Sequence, residues 1–122
     1  MELCNINSDV PIELFVVDPD TNLGLIGQAS YITLKVRRAS DNYYFNNGGW
    51  DASVTALSMV ASDETNEPGR YIKIIPAIYN LTPDTYYVFC HIESPVVSGD
   101  QSDVYILNEL VTVNVYDAAP SC

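Results

Sequence analysis

Residues 32–50 read ITLKVRRASDNYYFNNGGW and predict a strand followed by two tight turns. Ile32, Leu34 and Val36 alternate with polar residues, which is the period of a strand that buries one face. The segments SDN (40–42) and NNGG (46–49) contain residues that accept the backbone angles of tight reversals. Trp50, the only tryptophan, follows the second turn. We expect its indole to pack as an anchor at the core or its rim rather than to stack on a ligand.

Short apolar runs separated by Gly, Pro, Asn and Asp continue on both sides of this stretch. They predict about seven strands, at residues 11–17, 30–37, 43–45, 57–61, 71–75, 85–93 and 104–116. Residues 62–69 and 94–103 are polar and are predicted as a turn and a surface loop, whereas the aromatic-rich strand 85–93 is expected to be covered on both faces. A chain of 122 residues supports one domain over residues 1–122, and this strand spacing is typical of an antiparallel β-sandwich.

The charge balance limits the classes of partner. Sixteen acidic residues against five basic ones give a formal net charge of −11, which disfavours nucleic acid and anionic membranes as partners. The acidity serves solubility, or it provides a face for a basic partner or for divalent cations, and the sequence does not separate these. The first ten residues lack the basic and apolar regions of a signal peptide, and no apolar run reaches the length of a membrane helix.

The three cysteines, Cys4, Cys90 and Cys122, are an odd number without CxxC spacing, which is poor evidence for a disulfide framework or a zinc site. We therefore expect folding in a reducing compartment. Cys90 lies in an apolar run, where a buried free thiol behaves as a small hydrophobe. Cys4 and Cys122 lie near the two ends of the chain, and whether they form a bridge is left open.

No motif predicts catalysis, a cofactor or a metal. Asp18, Asp20 and Asn22 have the spacing that opens a calcium loop, but the later glycine and glutamate positions of that loop do not match, so a solvated turn is expected. The acidic segment 63–67 is interpreted in the same way, with cation binding left open. His91 is the only histidine, and we expect it to be a hydrogen-bonded packing residue rather than a member of a triad.

The run LTPDTYY (81–87) resembles the entry to the sixth strand of fibronectin type III and related immunoglobulin-like domains. In that family a tyrosine hydroxyl bonds back to the backbone and fixes the corner between two strands. The resemblance implies an immunoglobulin-like sandwich and assigns the corner to Tyr87. The second strand offers Cys90 no cysteine partner, so an antibody-like core disulfide is not expected.

A second resemblance covers residues 36–71. The basic strand end VRR, the turn at SDN, the aromatic run YYF, the turn NNGGW and the strand entry EPGRY are similar to immunoglobulin-like modules of tailed-bacteriophage virion proteins. This resemblance implies a non-enzymatic structural protein of the virion, assembled in the host bacterial cytoplasm. It implies a capsid decoration or cement protein that binds the assembled head, or alternatively a neck, fibre or tail-associated module.

The expected partners are other virion proteins, above all the major capsid protein, and a homotrimer is one expected oligomer. The predicted interaction surface consists of aromatic and basic residues: Tyr31, Tyr43, Tyr44, Trp50, Arg37 and Arg38. Tyr105 and Tyr116 are expected to be exposed as well. Lys35 joins the two arginines in a patch that docks an acidic neighbour or balances nearby carboxylates. An alternative function is a carbohydrate-binding or adhesion module, with Trp50, Tyr43 and Tyr44 as a stacking platform for sugars.

Overall fold

The computed structural model describes residues 1–109, in which nine β-strands form two sheets. The strands are β1 (Glu2–Asn5), β2 (Val10–Phe15), β3 (Ile32–Arg38), β4 (Tyr44–Phe45), β5 (Trp50–Asp51), β6 (Val60–Asp63), β7 (Glu67–Ile75), β8 (Asp84–Glu93) and β9 (Ser98–Asn108). Two short 3-10 turns lie at Ala29–Tyr31 and Ala77–Tyr79. The larger sheet has the order β1-β9-β8-β3-β4-β5 and the smaller sheet the order β2-β7-β6. Their inner faces share one hydrophobic core, so the predicted all-β immunoglobulin-like sandwich is confirmed.

The strand order of the larger sheet within residues 1–109 is similar to that of a variable-type immunoglobulin sandwich, in which two extra short strands extend the G-F-C sheet. Here β9, β8 and β3 occupy those three positions, β4 and β5 extend them, and β2, β7 and β6 form the opposite sheet. The prediction of about seven strands missed β1 and β5. One pair departs from the predicted antiparallel arrangement, because β1 runs parallel to β9.

The central strands bury one face only. Val88, Cys90 and Ile92 of β8 are buried opposite Val36, Leu34 and Ile32 of β3. The residues between them in β8, such as Phe89 and His91, are exposed on the outer face. The expectation that strand 85–93 is covered on both faces was therefore wrong, because no element packs on the outer face within residues 1–109.

The segment predicted as a loop at 94–103 is mostly strand. A tight turn closes at once, with the Ser94 backbone N–H donating to the Val97 carbonyl at 2.9 Å, and β9 begins at Ser98. The loop prediction was wrong because it was made from polar residues, and two of them, Gln101 and Asp103, face inward at a point beyond the edge of the smaller sheet. An inward position with nothing packed above it does not require an apolar side chain.

The predicted strand 57–61 is displaced, because Leu57 makes an isolated bridge with Leu34 and β6 begins at Val60. The predicted turn 62–69 is also too long, since Pro68 and Gly69 belong to β7. Gly69 has a φ of 89°, and a Cβ there would lie 2.5 Å from the Val16 carbonyl oxygen. Glycine is needed at this point for close approach of two backbones, not for a reversal.

A buried amide joins both sheets at one end of the sandwich. Asn80 has no exposed surface, and its Nδ2 lies 3.0–3.2 Å from the carbonyl oxygens of Ser8, Ile75 and Pro76. Its Oδ1 accepts a hydrogen bond of 2.6 Å from the hydroxyl of buried Tyr86. The corner tyrosine is therefore Tyr86, and the assignment to Tyr87 was wrong. Tyr87 has the motif spacing, but strand alternation turns it to the outer face.

We predict that Tyr86→Phe lowers the free energy of unfolding by about 1–3 kcal/mol, because it leaves the buried Asn80 oxygen without its donor. Tyr87→Phe removes the same hydroxyl from the outer face and should change the free energy by less than about 0.5 kcal/mol. Urea denaturation of the two variants measures the difference. Equal destabilisation would contradict the assignment of the corner to Tyr86.

Candidate interaction surface

The outer face of the larger sheet carries an aromatic and basic patch. Register pairs Lys35 with Phe89, and Arg37 with both Tyr87 and Tyr44, so all five side chains point to the same side. We call these five residues the basic–aromatic face. Phe89 is 40 % exposed, although it lies at the middle of the most central strand. An apolar ring on an uncovered sheet, beside cationic side chains, is a feature of binding surfaces.

Arg37 is held flat on this face. Its guanidinium carbon lies 4.8 Å from the centroid of the Tyr87 ring, and its Nη1 donates to Oδ1 of Asn42 in the β3–β4 turn. The turn can form this contact because Asn42 adopts a positive φ of 61°. A cation fixed by stacking and by one hydrogen bond loses little side-chain entropy when a partner binds.

Arg38 points the opposite way, to the end of the core. It forms a bidentate ion pair with Asp41, at 2.9 and 2.6 Å, and its guanidinium lies 5.0 Å from the ring of Trp50 and 5.7 Å from that of Tyr43. The hydrogen bonds from Arg38 lower the pKa of Asp41. Arg38 therefore balances a nearby carboxylate, which was one of the two interpretations of the basic patch. Lys35 and Arg37 lie on the outer face instead.

Trp50 packs against the rim of the core, as predicted. Its ring makes edge contact with Phe45 at 5.5 Å and lies 4.7 Å from Tyr86, while its Nε1 donates to the Tyr79 carbonyl at 3.1 Å. With Arg38 stacked against it as well, the indole is engaged by the protein itself. This geometry disfavours the stacking platform for sugars that Trp50, Tyr43 and Tyr44 would have formed together.

The six predicted surface residues do not form one patch. Arg37 and Tyr44 lie on the basic–aromatic face, whereas Tyr43 lies in the hairpin turn, 38 % exposed, with its ring near Arg38. Tyr31 is 40 % exposed but precedes β3, at the opposite end of that strand from Arg38. Phe89 and Tyr87 were not predicted as surface residues, although the alternation of β8 could have indicated them once its outer face was known to be open.

Two further tyrosines do not bear on this surface. Tyr105 is 3 % exposed, which corrects the expectation that it is a contact residue. It faces inward from β9, and its hydroxyl accepts the backbone N–H of Glu13 at 3.4 Å. Burial raises the pKa of Tyr105 to about 12. Tyr116 lies outside the described residues.

The other end of the outer face is acidic. His91 pairs with Asp100 across β8 and β9, with Nδ1 and Oδ1 at 2.7 Å, and its Nε2 lies 3.7 Å from the Glu93 carboxylate. The imidazole is exposed, so it is hydrogen-bonded as expected but is not a packing residue. The outer face thus runs from basic near Arg37 to acidic near Asp100.

Neither acidic turn is arranged around a ligand. Asp18 Oδ1 accepts the backbone N–H of Asp20, and its carbonyl accepts that of Asn22, so the turn is closed by its own hydrogen bonds. Asp63 likewise accepts from Thr65 and from the side chain of Asn66, which lowers its pKa. Within residues 1–109, no three His, Cys, Asp or Glu side chains are arranged so that they could hold one metal ion.

Cys90 is a buried free thiol, as predicted. Burial raises its pKa to about 11, so the thiol stays protonated at neutral pH and is a poor nucleophile. Cys90 and His91 point to opposite faces of β8. The question of a bridge between Cys4 and Cys122 concerns a residue outside the described range.

No protein-family model matches the chain, and no curated protein or solved structure shows significant similarity to it. Within residues 1–109, none of the helical segments has the length and apolar character needed to cross a membrane. The family expectation from the phage-like pattern therefore stays a prediction.

We predict that His91 titrates above its ordinary pKa of 6.5, because the Asp100 carboxylate stabilises the imidazolium. Since the pKa is raised in the folded state, this pair stabilises the fold below pH 6.5, and the contribution is lost as pH rises through the folded-state pKa. NMR titration of the His91 Cε1–H measures this pKa.

Asp100→Asn should return the midpoint towards 6.5, while Glu93→Gln, which removes the more distant carboxylate, should shift the midpoint less. A wild-type midpoint at 6.5 would contradict the prediction.

Proposed function

We propose that this chain is a non-enzymatic structural module of a tailed-bacteriophage virion, and that it binds the assembled head as a decoration or cement protein. The support for the virion is the pattern similarity over residues 36–71. The support for a binding role is the basic–aromatic face, which presents Lys35 and Arg37 on a side of the larger sheet that no element of residues 1–109 covers, in an acidic protein.

The contact would be made by a rigid surface. Tyr44 and Tyr87 provide aromatic area on paired strands, and Arg37 is already stacked in place. Fixed aromatic and arginine side chains bind at low entropic cost and are the residues that most often dominate interface energy. The complementary partner is an acidic, partly apolar patch on the major capsid protein, repeated over the shell so that many copies bind.

Quantitative proteomics of purified particles of the virus that encodes this chain tests the location. We expect a copy number comparable to that of the major capsid protein. A few dozen copies or fewer would place the chain in the neck, fibre or tail instead. Its absence from the particles would refute the virion proposal.

We predict that replacing Tyr43 and Tyr44 together by serine weakens binding to isolated particles by about a hundredfold or more, because it removes the Tyr44 ring beside Arg37 and the exposed Tyr43 ring of the same hairpin. Co-sedimentation of the purified protein with particles measures the affinity, and thermal unfolding should remain cooperative. Tyr31→Ser is the matched control, because Tyr31 is equally exposed but lies at the far end of β3. Unchanged binding by the double variant would exclude this hairpin from the interface.

A further inference from the structure

The smaller sheet has an open edge at β2. The backbone N–H of Val16 donates to the Gly69 carbonyl at 2.8 Å, which fixes the phase of the β2–β7 hydrogen bonds on the even-numbered residues of β2. The backbone groups of Pro11, Glu13 and Phe15 therefore point away from β7. Pro11 has no N–H and the Glu13 N–H donates to the Tyr105 hydroxyl at 3.4 Å, so a further strand would bond the Phe15 N–H and the three carbonyls. No strand pairs with that edge within residues 1–109. A strand in this position would be the fourth strand of the smaller sheet, beside β2.

A continuous groove runs along this edge between the two sheets. One half is a cavity of about 180 Å³ whose lining includes Leu14, Val16, Ile92 and Val97, and it is mainly apolar. The other half has a volume of about 280 Å³. Its lining residues are Glu2, Pro11, Glu13, Phe15, Gln101, Asp103 and Tyr105. Phe15 and Gln101 line both halves, and we call the whole the edge groove.

The second half of the edge groove is electronegative. It contains three carboxylates, and no lysine or arginine lines either half. Arg70 neutralises Glu13 from the outer face of β2, but Glu2 and Asp103 lie on the strands opposite. Burial is the main cause of the raised pKa of Tyr105, which lies at the bottom of the groove. The negative charges of Asp103, Glu2 and Glu13 raise this pKa further.

We propose that the edge groove binds an extended segment of a partner protein, which pairs with β2 as an added strand. The segment places an apolar side chain in the half lined by Leu14 and Val97. It places lysine or arginine side chains towards Glu2 and Asp103. Alternate residues of a strand share a face, so the apolar and basic positions are separated by even numbers of residues.

A second copy of this chain does not suit the groove. Pairing two β2 edges would bring the groove carboxylates of both copies together, and like charges placed side by side repel. The proposal is independent of the proposed function, because the edge groove and the basic–aromatic face lie on different parts of the sandwich. Failure of particle binding would leave it standing.

Synthetic peptides test the proposal directly. The probes are two acetylated and amidated octapeptides, TKTKTLTL and its reverse, which place lysine and leucine on one face in both strand directions. The matched control peptide carries glutamate in place of lysine. Calorimetry with the whole chain measures affinity, and NMR locates the perturbed amides. We expect one lysine peptide to bind with perturbations along β2, and the glutamate peptide to bind at least about tenfold more weakly.

Two variants of the protein assign the peptide to the groove. Gly99→Leu directs a side chain into the apolar half, where an added Cβ meets no atom within 4 Å, and Asp103→Lys reverses the charge of the other half. Each should reduce binding by about tenfold or more. Gly48→Leu and Asp51→Lys make the same changes at and beside β5, at the opposite edge of the larger sheet, and should leave affinity within about twofold.

Several outcomes would overturn the proposal. They are no binding of either lysine peptide, equal binding of the glutamate peptide, or wild-type affinity in both groove variants. Self-association that is detected by sedimentation and abolished by Gly99→Leu would assign the groove to a second copy instead. Thermal unfolding checks each variant, and if one does not fold, the other decides the question.

Discussion

The buried amide of Asn80 is the constraint on which the arrangement of this sandwich depends. A side-chain amide without exposed surface must find partners for its polar atoms, and Asn80 finds them on three separate segments. Its Nδ2 reaches the β1–β2 loop at Ser8 and the end of β7 at Ile75, and its Oδ1 takes the Tyr86 hydroxyl. Because β7 belongs to the smaller sheet and β8 to the larger, this one residue fixes the position of one sheet on the other. Trp50 seals the same end by donating to the neighbouring Tyr79 carbonyl.

The inward orientation of Tyr86 determines which side chains of β8 lie on the outer face, where a partner could bind. Strand alternation then turns Tyr87, Phe89 and His91 outward, and the register with β3 sets Lys35 and Arg37 beside them. The corner and the surface are therefore two consequences of the same register. A slip of one residue would bury the basic side chains and expose Val88 and Cys90, so the core itself selects the face that is presented.

The sequence predicted the parts of the fold that depend on alternation against a core. The strands around Leu34, Tyr71 and Val88 lie where their apolar period placed them, and the sandwich follows from their number and spacing.

Prediction failed where the local sequence pattern and the tertiary environment disagree. The tyrosine motif has the right spacing for Tyr87, but only the register with β3 shows that Tyr86 faces inward. The start of β9 was missed because Gln101 faces inward over an open edge, where no core imposes an apolar residue. The tyrosine surface was predicted from residue type alone, which cannot tell that Tyr105 is buried.

The open edge and the open face meet different physical demands, and this explains the uneven distribution of charge. An uncovered sheet face tolerates apolar and basic side chains because its backbone groups are already paired within the sheet. An unpaired strand edge has free backbone groups and would aggregate unless it is guarded, and proline and charge are the usual guards. Pro11 and Glu13 supply both on β2, while Glu2 and Asp103 line the facing wall. The same carboxylates that prevent pairing with another acidic copy would attract a basic strand, so protection of the edge and selection of a partner require the same residues.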